Sequence, residues 1–242
     1  MKETNLYVYS EPERVAESIA NLIVEKVNAK KEQGKPFNLA ISGGNTPNIL
    51  FSMLAEEFAD KVAWDSVRLF WVDERCVKPD DSESNFGNAH RILLKHVPIP
   101  KENIFNIQGD KEPTEEVLRY QKLLKNELPE KNGFPFFDLI LLGMGDDGHT
   151  ASIFPDNMEL IHSSTTAAAV AHPITGQKRI TLTGDVICNS EHIIFLITGH
   201  SKAEILEEII HEKGDFERYP TYYILENCDA ELYLDDEATE KL

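Results

Sequence analysis

The stretch FDLILLGMGDDGHT, residues 137–150, decides how this chain is read. An apolar run of strand length, 137–142, stops in three glycines, two aspartates and a histidine. Continuous hydrophobic runs belong to strands buried on both faces, and open α/β sheets bind ligands just beyond the carboxyl ends of their strands. Glycine allows the turns and close approaches that a loop in that place needs. His149, preceded by Asp146 and Asp147, is equipped to move a proton near neutral pH. The stretch therefore predicts a buried strand that delivers a catalytic loop.

The same alternation repeats outward from it. Residues 6–9, 37–41, 67–72, 104–107, 167–171, 179–182, 192–197 and 231–234 read as strands. Between them, Ala16, Ile19, Ala20, Ile23 and Val27 share one helical face, and a second helix runs through Ile49, Leu50, Met53 and Leu54. Helices are also predicted over 88–95, from Pro113 through Leu128, and through Ile205, Leu206, Ile209 and Ile210. Ser10 and Glu13 have capping-box spacing before the first helix, and Thr46 with Pro47 suits the start of the second. Strands alternating with amphipathic helices predict a three-layer α/β/α fold around a mainly parallel, Rossmann-like sheet. A single domain over 1–242 is expected, with room for a small cap within the less regular 155–183.

Composition narrows the function classes. There are 24 basic against 42 acidic side chains, a formal net charge of -18, so neither nucleic acid nor an anionic membrane is an expected partner. A small anionic ligand stays compatible if a few cations are held together locally. Cys76, Cys188 and Cys228 are few, odd in number and widely spaced, which suggests a reducing compartment and gives no zinc pattern. No apolar run approaches membrane-spanning length and no leader is evident, so a cytoplasmic protein is expected, a monomer or weak homo-oligomer.

Each chemical motif has a plainer reading beside the functional one. Ser42-Gly43-Gly44-Asn45-Thr46-Pro47 is either a tight strand-to-helix turn or an anion site built from backbone N–H groups and a helix N-terminus. Gly143 to Gly148 matches the dinucleotide fingerprint, but Asp146 and Asp147 would repel a pyrophosphate. No acidic residue follows at the spacing a ribose requires, so no NAD is expected. Asp147 and His149 lack a third ligand at recognisable spacing, so no metal is expected either. Asp73-Glu74-Arg75 taken alone is a solvated charge cluster or an ion pair, and Arg179 and Lys202 taken alone are surface cations. Ser152 lacks the nucleophile elbow of serine hydrolases, Cys76 has no activating base, and the histidines other than His149 read as structural.

Taken together, ISGGNTP (41–47), FWVDERCV (70–77), SNFG (84–87), LLGMGDDGHTASIFP (141–155), RITLT (179–183) and ITGHSKA (197–203) resemble the 6-phosphogluconolactonases. The blocks occur in that family's order over roughly 40–205. GHTASIFP is the most specific of them; SGG-x-TP and TG-x-x-KA are shared with the glucosamine-6-phosphate deaminases. Asp146, where the lactonases commonly have proline, and Asn45, often serine, depart from the pattern.

The resemblance implies a glucosamine-6-phosphate deaminase-like fold. It implies hydrolysis of 6-phosphogluconolactone to 6-phosphogluconate, the second step of the oxidative pentose phosphate pathway, without cofactor or metal. His149 would be the general base for water, with Asp147 orienting it. Arg75, Arg179, Lys202 and the backbone of Gly43 and Gly44 would hold the phosphate. Ser42, Thr46 and Asn85 would complete the substrate site, while Asp73 would contact sugar hydroxyls or fix Arg75. The rival activities are an amino-sugar-phosphate deaminase, whose loop typically reads GHIAFNEP, and a non-catalytic sugar-phosphate sensor, which usually carries a basic DNA-binding module not evident here.

Overall fold

The computed structural model describes residues 5–242. Its strands in chain order are β1 (Asn5–Tyr9), β2 (Phe37–Ile41), β3 (Val67–Trp71), β4 (Asp73–Arg75), β5 (Ile104–Phe105), β6 (Glu130–Lys131), β7 (Phe134–Pro135), β8 (Leu139–Leu142), β9 (Ala167–Ala171), β10 (Lys178–Leu182), β11 (Ile193–Ile197) and β12 (Ala230–Asp235). The helices are α1 (Pro12–Glu32), α2 (Asn45–Glu56), α3 (Asn85–Ala89), α4 (Pro113–Glu127), α5 (Gly184–Cys188), α6 (Ala203–Ile210) and α7 (Pro220–Asn227). Seven strands form one parallel sheet in the order β1-β12-β11-β8-β2-β3-β5, flanked by helices.

The apolar runs dictate the centre of that sheet. FNLAI in β2, LILL in β8 and IIFLI in β11 are buried at every position, as strands covered on both faces must be. From β2 the chain moves outward to β3 and β5; from β8 it moves the other way, to β11 and β12. The order therefore reverses between β2 and β8, and the loops leaving their carboxyl ends open a crevice there. A second, antiparallel sheet, β4-β10-β9, places Arg75 directly opposite Arg179.

At the opposite end of β8, Asp138 is buried and saturated. It accepts from the Asn38 backbone N–H at 2.7 Å, the Asn38 side-chain amide at 3.1 Å and the Lys30 ammonium at 2.5 Å. Asp138→Ala should cost about 3 kcal/mol in urea unfolding, because it leaves a buried amide and a half-buried cation without their acceptor. A loss under about 1 kcal/mol would equate the cluster with a surface ion pair.

Several local expectations are corrected. Pro12 takes the first position of α1 with Glu11 as its N-cap, so Ser10 lies one residue too early and no side chain caps the helix. Gly44, at φ 121°, is the N-cap of α2; Thr46 falls inside the first turn and its hydroxyl bonds that of Thr198 at 2.6 Å instead. The helix predicted over 88–95 begins at Asn85, where Ser84 caps it by accepting from the Gly87 N–H, and it continues as a π-helical turn, His90–Leu94. The short helices α5 and α7 were not anticipated. Their packing brings Cys188 and Cys228, 40 residues apart in sequence, to a Cα–Cα distance of 5.4 Å in a disulfide. Wide spacing said nothing about spatial proximity, so the cysteine argument for a reducing compartment falls. Among the described residues no helix is long and apolar enough to cross a membrane.

Candidate active site

A cavity of about 180 Å³ lies in the crevice between the loops after β2 and β8. Ser42, Gly43 and Gly44 form one wall, and Gly143, Met144, Gly145, His149 and Ala151 another; Asp73, Arg75 and Arg179 from the second sheet and Asn85 from the start of α3 close it. The structure thus gathers eight of the eleven expected site residues on one cavity. Asp147 stands behind His149, while Thr46 and Lys202 lie outside the lining. A larger groove beside α4, about 470 Å³, presents lysines and hydroxyls but neither histidine nor arginine.

The loop 143–153 is held in shape by its own bonds. The Gly145 N–H donates to the His149 carbonyl at 2.8 Å, and the Thr150 hydroxyl donates to the Gly143 carbonyl at 2.9 Å. His149 Nδ1 meets Asp147 Oδ1 at 2.5 Å, and the His149 backbone N–H donates to the same oxygen at 3.2 Å. Burial pushes the Asp147 carboxyl up, but the bond to the His149 ring, the charge of that ring and the backbone N–H bonds together outweigh it and hold the group down at about 2. An ionised Asp147 only accepts, so the shared proton belongs to Nδ1 of His149, and in the neutral ring that tautomer puts the lone pair on Nε2. Asp147 and His149 face each other, an arrangement for orienting a base. They do not converge on a common point, as metal ligands would.

Glycine is required here by contact. A Cβ on Gly145 would lie 2.1 Å from His149 Nδ1 and 2.8 Å from Asp147 Oδ1, and one on Gly43 would lie 1.9 Å from Asn85 Oδ1. Gly145→Ala should therefore displace the imidazole and lower kcat at least tenfold, since about 1 Å of misplacement can cost far more than that. A folded variant with normal kcat would show that the loop tolerates the shift. Ala151, on the same wall, has φ 50°, a left-handed conformation that L side chains avoid and that concentrates at functional sites.

The cation wall has an unusual electrostatic arrangement. Arg75 and Arg179 are register partners, and among the described residues neither forms an ion pair with a carboxylate. Arg75 Nη1 donates to the Glu83 carbonyl at 2.6 Å, and Arg179 Nη1 reaches Ser152 Oγ only at 3.5 Å. Their Nε atoms are both buried without a partner, as is Asn85 Oδ1. Burial pushes the Arg179 guanidinium down from its usual range and Arg75 adds to that. Two adjacent guanidiniums with unused donors are suited to an oxyanion with several acceptor oxygens.

The carboxylates of 73–75 are buried, contrary to the solvated cluster expected. Asp73 accepts from the Ser152 hydroxyl at 2.6 Å and from the Asn85 amide at 3.1 Å, bonds that fix Asn85 and leave Arg75 unpaired. Glu74, 1% exposed, accepts from the backbone N–H groups of Arg75, Asn85 and Phe86 and from the Ser84 hydroxyl. It thereby clamps β4, which carries Arg75, to the start of α3, which carries Asn85. Burial drives its carboxyl up to about 7 against the pull of those amides. A folded-state value above the ordinary 4.5 means the folded protein binds more protons between pH 4.5 and about 7. Glu74 thus subtracts stability as pH rises through that window. Glu74→Gln should remove this part of the slope in unfolding measured across that range; an unchanged slope would assign it to other groups.

Sequence reasoning also passed over Phe154 and His172. Phe154 packs on the His149 ring at 4.8 Å between centroids, lies under the Arg179 guanidinium at 5.7 Å, and meets His172 edge-on at 5.1 Å. An aromatic at the end of the glycine-rich loop was the available signal.

The chain matches the model for glucosamine-6-phosphate isomerases/6-phosphogluconolactonase over residues 10–234. It is 38% identical to a 6-phosphogluconolactonase of Haemophilus influenzae over 94% of this chain and 97% of that one. With a 6-phosphogluconolactonase of Treponema pallidum it shares 40% identity, over 80% of each chain. The crystal structure of a devB protein superposes with a TM-score of 0.91 at 36% identity, covering 98% of this chain and 99% of that one. That of the Trypanosoma brucei 6-phosphogluconolactonase gives 0.87 at 27%, covering 99% of each. A monomeric glucosamine-6-phosphate deaminase reaches 0.82 at 20% identity over 98% of this chain and all of that one, a likeness of fold alone. This chain belongs to the glucosamine-6-phosphate isomerase/6-phosphogluconolactonase family.

Proposed function

We propose that this protein is a lactone hydrolase that converts 6-phosphogluconolactone to 6-phosphogluconate, as its relatives' names describe. The observation that carries the reading is the shared cavity: a carboxylate-oriented imidazole on one wall and two carboxylate-free arginines on another. His149 Nε2 takes a proton from water as the oxygen attacks the lactone carbonyl carbon. When the tetrahedral adduct collapses, the bond to the ring oxygen breaks, and the imidazolium returns the proton to that oxygen. Asp147 holds the tautomer and balances the transient positive charge. The phosphate binds Arg75, Arg179, Lys202 and the Gly43 and Gly44 amides at the start of α2, while Ser42, Asp73 and Asn85 face the sugar and Thr46 holds the start of α2 through Thr198. Residues 1–242 act as one domain, in the cytoplasm, with a small phosphorylated lactone as partner.

Deaminase chemistry is disfavoured by Phe154. In the motif GHIAFNEP the glutamate falls at the position that Phe154 holds here, buried against His149. The test is an assay on freshly generated 6-phosphogluconolactone, corrected for spontaneous hydrolysis, beside glucosamine 6-phosphate. Enzyme-dependent acid release from the lactone is expected. Ammonia from the amino sugar, or sugar-phosphate binding without turnover of the lactone, would overturn the reading.

A further inference from the structure

Lys202 is already engaged, and by an acidic residue of the catalytic loop itself. Its ammonium contacts Asp146 Oδ1, which also accepts from the Ser201 hydroxyl at 3.2 Å. The Lys202 side chain is 20% exposed and that of Asp146 71%, so the cation is tucked inward with the carboxylate covering it from solvent. The segment carrying Lys202 is tied on its other side to the first turn of α2 by the bond between Thr198 and Thr46. The segment that carries the ammonium is thus bonded both to the loop after β8 and to the first turn of α2, which has no acidic residue and no side-chain cap. Every cation that Arg75 and Arg179 offer is unpaired, and this one is neutralised.

We propose that Asp146 is an internal competitor for the phosphate subsite, a residue that sets how tightly the phosphate is held. The proposal rests on the reading of Lys202 as a phosphate-binding cation. The bond to Lys202 and, less, its charge and the Ser201 hydroxyl hold the Asp146 carboxyl below its usual range despite some burial, so Asp146 is ionised at every pH near neutrality. A phosphate monoester carries a charge of about -1.5 to -2 and three acceptor oxygens. To reach Lys202 it must displace one carboxylate oxygen and tolerate the remaining negative charge. That opposition falls equally on lactone, transition state and product, since all three carry the phosphate. Interactions common to ground and transition state change KM and leave kcat alone.

Asp146→Asn keeps the size of the side chain and its bond to Ser201 while removing the charge. KM for the phosphorylated lactone and the inhibition constant of inorganic phosphate should both fall, by about 3- to 10-fold, the range of an exposed ion pair plus residual repulsion. Turnover at saturation should not change. The gain should shrink in a Lys202→Ala background, as expected when the two residues act on one another. Unchanged KM and phosphate inhibition in Asp146→Asn, with Lys202→Ala alone raising both, would overturn the proposal and leave Lys202 in place. Lys202→Ala with both constants unchanged would instead remove Lys202 from the phosphate site, and the proposal with it.

Discussion

His149→Ala should lower kcat by about 10²–10⁴-fold, the usual contribution of a positioned general base, and leave binding of inorganic phosphate unchanged. The imidazole is set by three independent features: Asp147 at Nδ1, the Phe154 ring beside it, and the bare Cα of Gly145 underneath. Phe154 also lies under the Arg179 guanidinium, but it stays in place when the imidazole is removed, so losing the ring removes proton transfer without loosening the anion wall. Asp147→Asn separates orientation from basicity. Its amide would face Nδ1 with either a donor or a weaker acceptor, and the tautomer that exposes the Nε2 lone pair would lose its advantage. A drop in kcat with KM retained is expected there too. Normal turnover in a folded His149→Ala protein would hand proton abstraction to another group, and Asp147 would then be an ordinary loop carboxylate.

The opening stretch predicted the catalytic loop because both halves of its signal are local. A strand whose consecutive residues 139–142 are all apolar needs cover on both faces, and a loop that ends such a strand in an open sheet falls at the ligand-binding edge. The face of α1 and the cores of β2, β8 and β11 were legible for the same reason. What escaped was whatever depended on contacts distant in sequence. Glu74 reads as a surface charge until α3 folds back and supplies it with the amides of Asn85 and Phe86. The Cys188–Cys228 bond exists only because α5 and α7 pack together. Thr46 looked like a cap because its residue type fits one, but Gly44 adopts a positive φ that starts the helix earlier. The roles of Arg75 and Arg179 were taken from a family pattern. Their side-by-side placement without carboxylates, which gives the pattern its chemistry, needed the pairing of β4 with β10.

Arg179→Ala should raise KM for the phosphorylated lactone by about 10- to 100-fold, because hydrogen bonds to charged groups contribute about 1.5–3 kcal/mol and each 1.4 kcal/mol is a factor of ten. Arg179 as a residue is 9% exposed, so its bonds to an anion form in a site where water screens little. The phosphate is remote from the lactone carbonyl and is held alike in ground and transition states, so kcat should fall much less than kcat/KM. Arg179→Lys should recover only part of the loss, since an ammonium cannot offer the planar fork that Arg75 and Arg179 present together. Stability is a separate readout and should move little. The variant loses packing on Phe154 but also relieves the burial of a cation and the repulsion from Arg75, which together hold the Arg179 guanidinium below its usual range. A folded Arg179→Ala protein with unchanged KM would take Arg179 out of the anion wall. Arg75, the Gly43 and Gly44 amides and Lys202 would then have to hold the phosphate alone.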